Sequence, residues 1–567
     1  MAASMALCRL HMRGKFVLER SLQRADAFLQ RSLVTEAVSA EDEAARKLDP
    51  GVNGRKSLRS LQQERREQAE RSVLVSCGST TERKFLKFLS RHGDVSKCFF
   101  YESYGVYAVV EFSGRDGVAS LLEAASIPSA SHEATLPFKS RLLSFRTLGA
   151  GGPAAPAGLK LQPQTAVPIN ELIQRLSRQD SIDQQVSSLV EAYQLTEENI
   201  RLRFLVCSLL KDVAAAYFPE CSVKPFGSSV NGFGKLGCDL DMFLDLDGLS
   251  GLDVKPPKSG PSLEFQMKRA SSERAVTQSV LSVVGECVDQ FAPGCVGVQK
   301  ILNARCPLVR FAHQPSGFQC DLTANNRVAM KSTELLYLFG ELDPRVRALV
   351  FTVRCWARAH GVTSSIPGAW ISNFSLTVMV LFFLQRRSPA LLPTLDRLRE
   401  LAGPADRSVL DGSDCSFTSD FGRIGPGTNT ETAEQLLVAF FDFYSSFPFS
   451  RASISIRKGR EQSKPEVAPL HIQNPFETSL NVSKNVNASQ LDRFVALCQE
   501  SSWLLQQRET VTPGGGNAPA PWGLAALLQP SQVAGIKTRK RRRTEPASQR
   551  IKSLLESLKN QNHQKKS

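Results

Sequence analysis

The stretch GSSVNGFGKLGCDLDMFLDLDG, residues 227–248, decides the reading of this chain. Its acids Asp239, Asp241, Asp245 and Asp247 all fall at odd positions, and Leu240, Met242, Phe243, Leu244 and Leu246 fill the gaps. Strand side chains alternate between faces, so Asp239 and Asp241 point one way while Leu240 and Met242 point into a core. Two carboxylates held that close repel each other unless a cation lies between them. A hard divalent ion with oxygen ligands meets that need, Mg²⁺ above all, with Mn²⁺ as the alternative. Upstream, Gly227 lets backbone approach a phosphate closely, and Ser228 and Ser229 offer hydroxyl and amide donors at an expected helix start, where an anion is favoured. A phosphate turn, a short spacer and D-x-D on a strand together suit a metal–nucleoside triphosphate.

Two rival motifs fail on spacing. An EF-hand loop needs D-x-[DN]-x-[DN]-G, and ending it at Gly248 puts Phe243 at the first ligand. A Walker loop needs GxxxxGK[ST]; Gly227 and Gly232 have the spacing, but Phe233 follows. A third carboxylate is expected from a neighbouring strand. Asp321, in GFQCDLTANN, ends a strand after a hairpin built from CPLVRFAH and GFQCDL around Gln-Pro-Ser-Gly. Taken alone, Asp321 also reads as a plain cap of the next turn.

Outward from this centre the chain divides into segments. Residues 1–40 are Arg-rich and acid-poor with scattered Leu, Phe and Val, the pattern of a mitochondrial transit peptide. Residues 41–71 read as a charged helical linker. Residues 72–148 give strands at VLVSCG, VSKCFFYES, GVYAVVEF and RLLSFR and helices at ERKFLKFLSRHG and GVASLLEAA. Their order, βαββαβ, is that of an RNA-recognition-motif-like ferredoxin fold. Of its three expected base-stacking places only Tyr107 is aromatic, with Leu74 and Val109 at the others, which favours packing or dimerisation over RNA contact. Residues 149–167, with GAGGPAAPAG, form a flexible linker. Residues 168–332 hold the acidic motif and the hairpin, and 333–511 are mainly helical. TPGGGNAPAP ends the folded body, leaving 512–567 as a disordered basic tail with KTRKRRR.

Composition bounds the function classes. The 567 residues carry a net charge of +15, 42% hydrophobic residues and 8% aromatics, a globular chain with a polyanion as natural partner. Residues 1–35 hold six Lys/Arg against two acids and residues 531–567 eleven against two, so the body between is near neutral. The 13 Cys form no CxxC pair, which excludes a zinc site and a secreted disulfide framework and leaves reduced thiols. The most apolar run, FSLTVMVLFFL at 374–384, is too short to span a bilayer and reads as a buried core helix, so no membrane is expected.

The G-S…D-x-D motif with a distal Asp resembles the DNA polymerase β-type nucleotidyltransferase superfamily. VRCWARAHG (353–361), ISNFSLTVMVLFFLQ (371–385) and PLHIQNPFETSLNVSKNV (469–486) resemble segments of its template-independent RNA terminal transferases, and together these cover roughly residues 200–505. The resemblance implies an α+β fold: a polymerase β-type palm, a mainly helical central domain and the N-terminal RNA-recognition-like module. It implies two Mg²⁺ held by Asp239 and Asp241, and a catalytic metal held by Asp321, which also helps deprotonate the RNA 3′-hydroxyl. Gly227 and Ser228 would bind the triphosphate, Asn326 the ribose, Arg354 and Arg358 the phosphates, and Phe374 the base. Phe374 also reads as a core residue, and Arg358 as a surface charge. The implied reaction is template-independent addition of adenylate from ATP to the 3′ ends of mitochondrial RNA in the matrix, by a homodimer. Relatives often have Lys at 354 and 358, Tyr at 374 and Asp at 474. Uridine-selecting relatives often carry His at Leu480, and its absence leans toward ATP. A terminal uridylyltransferase and an inactive RNA-binding scaffold are the alternatives.

Overall fold

The computed structural model describes residues 55–78, 82–127, 138–146, 160–246, 269–364, 366, 368–506 and 520–529; the expected transit segment and the KTRKRRR run lie outside them. Ser57 opens the described fold: its hydroxyl accepts the Ser60 amide and starts helix α1, Leu58–Glu70. Strand β1 (Ser72–Cys77), helix α2 (Glu82–Leu89), strands β2 (Val95–Glu102) and β3 (Val106–Phe112), helix α3 (Arg115–Ala124) and strand β4 (Leu142–Phe145) follow in the order expected. The sheet runs β4-β1-β3-β2, and a fifth strand, β5 (Leu161–Gln162), joins its edge parallel to β2. That strand comes from the stretch read as a flexible linker.

Alternation along β1 and β3 sorts the side chains. Val73, Val75, Ala108 and Val110 pack under α2 and α3, while Leu74 and Val109 go to the opposite face and are buried there. Base stacking needs flat exposed rings on that face, whereas here it closes onto the next domain of the same chain. Leu74 and Val109 share a core with Leu205, Leu209, Phe311 and Phe318. The Tyr101 hydroxyl donates to the Pro315 carbonyl at 2.8 Å, and Arg141 crosses to Asp212 at 2.9 Å. The packing role expected of this face is therefore met within one chain.

The second domain begins with helices α4 (Ile169–Ser177), α5 (Ile182–Tyr193) and α6 (Glu197–Ala214). Its sheet is built from β6 (Ser222–Pro225), β7 (Leu240–Asp245), β8 (Cys295–Ile301), β9 (Leu308–His313) and β10 (Phe318–Ala324), in the order β6-β7-β10-β9-β8, with helix α7 (Glu273–Phe291) between β7 and β8. Leu240, Met242, Val309, Cys320 and Leu322 are buried in one core with α6 and α7, which leaves the other face to the acids. Helix α1, read as part of a linker, packs against α6: Arg65 pairs with Glu197, and Gln62 donates to the Pro225 carbonyl at 3.3 Å.

The remainder is helical: α8 (Arg327–Leu342), α9 (Pro344–Ala359), α10 (Asn373–Gln385), α11 (Leu395–Glu400), α12 (Phe421–Ile424), α13 (Ala433–Ser445), α14 (Ala488–Gln506) and α15 (Gly523–Leu527). Every residue of α10 from Ser375 on is buried, as a core helix should be, and no described helix is long and apolar enough to cross a membrane. Helix α15 corrects the expected tail boundary at 512. Leu524 and Leu527 are buried in the main core, Gln185 accepts the Leu524 amide at 2.7 Å, and a His360 ring nitrogen lies 2.7 Å from the Leu527 carbonyl. The apolar run in PWGLAALL gives this short segment a reason to dock. All twelve described cysteines are free thiols.

Candidate active site

Strands β7 and β10 run parallel with Asp241 directly beside Asp321. Residues paired across parallel strands present their side chains on one face, so the two carboxylates stand side by side. Asp239 lies one residue before β7, exposed as a residue but with its carboxyl half enclosed. Burial, then the charges of Asp321 and Asp239, push the Asp241 carboxyl up to about 7. Asp239 is raised by burial and by Asp321, while Arg310 and Arg203 pull it back. Arg310, opposite Asp321 on β9, forks onto both its oxygens at 2.8 and 2.6 Å. With the side chains in these positions, no three His, Cys, Asp or Glu among the described residues already enclose an ion site. The donor set nevertheless fits a hard divalent cation: three carboxylates, all oxygen, two of them costly to ionise without a positive neighbour.

The phosphate turn is tighter than expected. Instead of opening a longer helix, Gly227–Ser229 makes one 3-10 turn that ends where Val230 leaves helical geometry at φ −137°, and Gly232 then turns the chain away with φ +82°. Gly227 has φ +62°, and a Cβ there would stand 3.1 Å from Asp241 Oδ2. Glycine meets both the conformation and the closeness without strain. The Gly227 amide donates to Thr333 Oγ1 at 3.0 Å, which anchors the turn to α8. A Cβ on Gly234 would lie 2.2 Å from the Ser228 carbonyl oxygen, so the spacer folds directly back on the turn.

Six of the nine expected site residues line one cavity of about 340 Å³: Gly227, Ser228, Asp241, Asn326, Arg354 and Phe374. Asp239 and Asp321 adjoin it through Asp241, and Arg358 stands exposed one helical turn beyond Arg354. Arg354 is held by the Phe233 carbonyl at 2.7 Å, and burial pushes its pKa down to about 10. Phe374, in the first turn of α10, packs on the core with part of its ring and lines the cavity as well. The Asn326 side-chain amide reaches Cys306 Sγ at 3.4 Å.

Several residues here escaped the sequence reading. Arg310 was findable: in PLVRFAH it alternates with inward Val309 and Phe311, so it must face the acids. Lys235 sits in the spacer, where burial and then the charge of Arg358 lower its pKa. Glu477 was missed as well; it completes the far wall of the cavity beside Asn474, a position the sequence reading had already marked. Arg203, discussed below, had no signal beyond being an arginine inside an apolar helix.

The geometry agrees with comparisons to known proteins. A family model described as the central palm domain of mitochondrial-like poly(A) RNA polymerase matches residues 182–341, and an RL domain model matches residues 57–126. The mitochondrial poly(A) RNA polymerase of Mus musculus is 53% identical over 531 residues, covering 93% of this chain and 91% of that protein. Its Homo sapiens counterpart is 55% identical over 502 residues, covering 88% and 85%. A crystal structure of mtPAP in complex with ATPγS superposes with a TM-score of 0.79 at 53% identity, covering 84% of this chain and all of that one.

Proposed function

The chain belongs to the mitochondrial poly(A) RNA polymerase family, and on that premise we propose how its own residues carry out the ATP-dependent, template-independent addition of adenylate to RNA 3′ ends. The observation that carries the proposal is the parallel register of Asp241 with Asp321 at the rim of the cavity that holds Gly227, Arg354 and Phe374.

In this reading ATP lies in the cavity. The turn at Gly227 and Ser228 cradles the triphosphate, Arg354 and Arg358 take up its negative charge, Asn326 meets the ribose and Phe374 stacks on the base. Asp239, Asp241 and Asp321 would hold divalent ions, Mg²⁺ by choice and Mn²⁺ as the alternative, and the chemistry these would supply is acidification of the attacking hydroxyl and charge compensation at the leaving group. Asp321 helps draw the proton from the RNA 3′-hydroxyl, whose oxygen attacks the α-phosphorus in line as the bond to pyrophosphate breaks. The protein's contribution is mainly positioning and charge compensation.

The test is extension of a labelled single-stranded RNA with each nucleoside triphosphate in turn, wild type beside Asp241→Ala. Long extension with ATP, absent in the variant, is the expected result. Extension chiefly with UTP would move the reading to uridylyl transfer and discredit Leu480 as the mark of ATP. The matrix as the working compartment rests on the composition of residues 1–40, and import of a chain lacking them tests it. The homodimer is proposed on the resemblance alone. Because Leu74 and Val109 are buried within one chain, a second copy would meet the N-terminal module on another surface, and sedimentation equilibrium distinguishes one copy from two.

A further inference from the structure

Arg203 lies on α6 between Leu202 and Phe204, in a run that feeds the apolar core, and it is fully buried. A buried arginine ordinarily has a carboxylate partner. Among the described residues Arg203 has no carboxylate bonded to it. Its guanidinium instead donates to Asn199 Oδ1 at 2.8 Å, Ser229 Oγ at 2.9 Å, the Asp239 carbonyl at 2.9 Å and the Cys238 carbonyl at 2.7 Å. Its flat face lies 4.5 Å from the centre of the Phe318 ring, at the start of the strand that carries Asp321. One side chain thus joins helix α6, the phosphate turn, the peptide that leads into Asp239 and strand β10. The uncompensated charge is felt at Asp239 and Asp241, whose carboxyls it pulls back toward acidity.

We propose that Arg203 is a positioning residue for adenylate transfer: its fork fixes the spacing between the triphosphate turn at Ser229 and the carboxylate strands, so that the three acids meet a divalent cation in a preset geometry. The fork, more than the charge, is what the site needs. Its four hydrogen bonds run in fixed directions to its own helix, to Ser229 and to the consecutive carbonyls of Cys238 and Asp239, which an ammonium on a flexible stem does not reproduce. Mg²⁺ in particular demands near-ideal coordination, and groups that orient the ligands of a metal typically change its affinity by roughly 10- to 100-fold. The inference rests on the proposed metal role of Asp239, Asp241 and Asp321.

The experiment uses the full chain without nucleotide and titrates Mn²⁺, reading the free ion by electron paramagnetic resonance. Melting temperature, kcat and the KM for ATP are measured alongside. Arg203→Lys keeps the charge and loses the fork. It should weaken Mn²⁺ binding about 10-fold and lower kcat at least as much, with the KM for ATP changed less than about 3-fold. Ser229→Ala removes one of the four bonds and should shift Mn²⁺ binding the same way by a smaller factor; it carries the test if Arg203→Lys fails to fold. Wild-type Mn²⁺ binding in a folded Arg203→Lys chain would overturn the proposal, as would a loss of kcat no larger than the unfolded fraction. Asp241→Ala, run in parallel, separates the two claims. If it binds Mn²⁺ as tightly as wild type, the metal reading of the acids fails; if it loses binding while Arg203→Lys keeps it, only the role of Arg203 falls.

Discussion

At Asp241 stability and catalysis pull in opposite directions. Its carboxyl is raised from the ordinary range to about 7, first by burial and then by Asp321 and Asp239. A carboxyl whose folded pKa exceeds its unfolded value near 4 makes the native state hold the proton more tightly, so its ionisation costs stability as pH rises through that window. Asp241→Asn should therefore raise the melting temperature at pH 8 while RNA extension falls at least ~10²-fold, as a residue needed for positioning charge requires. A variant that melts lower than wild type would refute this account of the site. The same titration predicts a pH effect on metal binding. Below pH about 7 a proton competes with a cation for Asp241, so Mg²⁺ in excess should raise the melting temperature more at pH 8 than at pH 6. Differential scanning fluorimetry at the two pH values checks it. The D-x-D pair was legible because strand alternation is a local property. Its pairing with Asp321 in register is a tertiary fact, set by the hydrophobic faces of two strands far apart in sequence. Arg203 was hidden for a related reason: helical periodicity identifies a buried face and says nothing of which distant carbonyls an arginine on it will meet.

Among the elements, the N-terminal sheet shows how a familiar topology is put to a different use. Tyr107, the one aromatic left at the expected stacking places, packs at the edge of the core shared with α6 and β9. Tyr107→Ala should lower the melting temperature by removing apolar contact there and leave the affinity for single-stranded RNA within about 2-fold, since the face is closed to bases. A selective loss of RNA affinity, read by fluorescence anisotropy, would show the ring still stacking. Val109→Asp places a charge in the same buried contact and should cost about 3 kcal/mol or more. The topology of this module was readable from strand and helix periods. Its fifth strand was not, because Leu161–Gln162 is two residues long and carries no pattern of its own. Nor was the docking of α1: its surface is charged, and only the position of Glu197 and the Pro225 carbonyl makes Arg65 and Gln62 contacts rather than solvated side chains. The turn was misread as a helix start because a Gly-Ser-Ser sequence fits both, and the non-helical backbone of Val230 that ends it carries no mark in the neighbouring residues.

Across the whole molecule, charge is distributed unlike function. The proposed site residues lie between Gly227 and Phe374, with Arg203 just before them, in a body that is near neutral, while residues 531–567 alone hold eleven Lys/Arg against two acids. Affinity for a polyanion grows with the number of phosphates neutralised, and for single-stranded nucleic acid log K falls by about 0.7 per contact for each decade of salt. A chain lacking 531–567 should accordingly bind RNA with a shallower salt dependence and weaker affinity at low salt. Its kcat for one adenylate addition to a saturating short primer should stay within about 2-fold, because none of the groups that position ATP or the acids is removed. That outcome would assign to residues 531–567 how long the chain stays on RNA and to the body what it does there. Anisotropy across a series of KCl concentrations, paired with single-addition kinetics, tests both halves at once. An unchanged slope would mean the basic run does not touch RNA. A lost kcat at saturating primer would mean it reaches the site, and the separation of binding from chemistry drawn here would not hold.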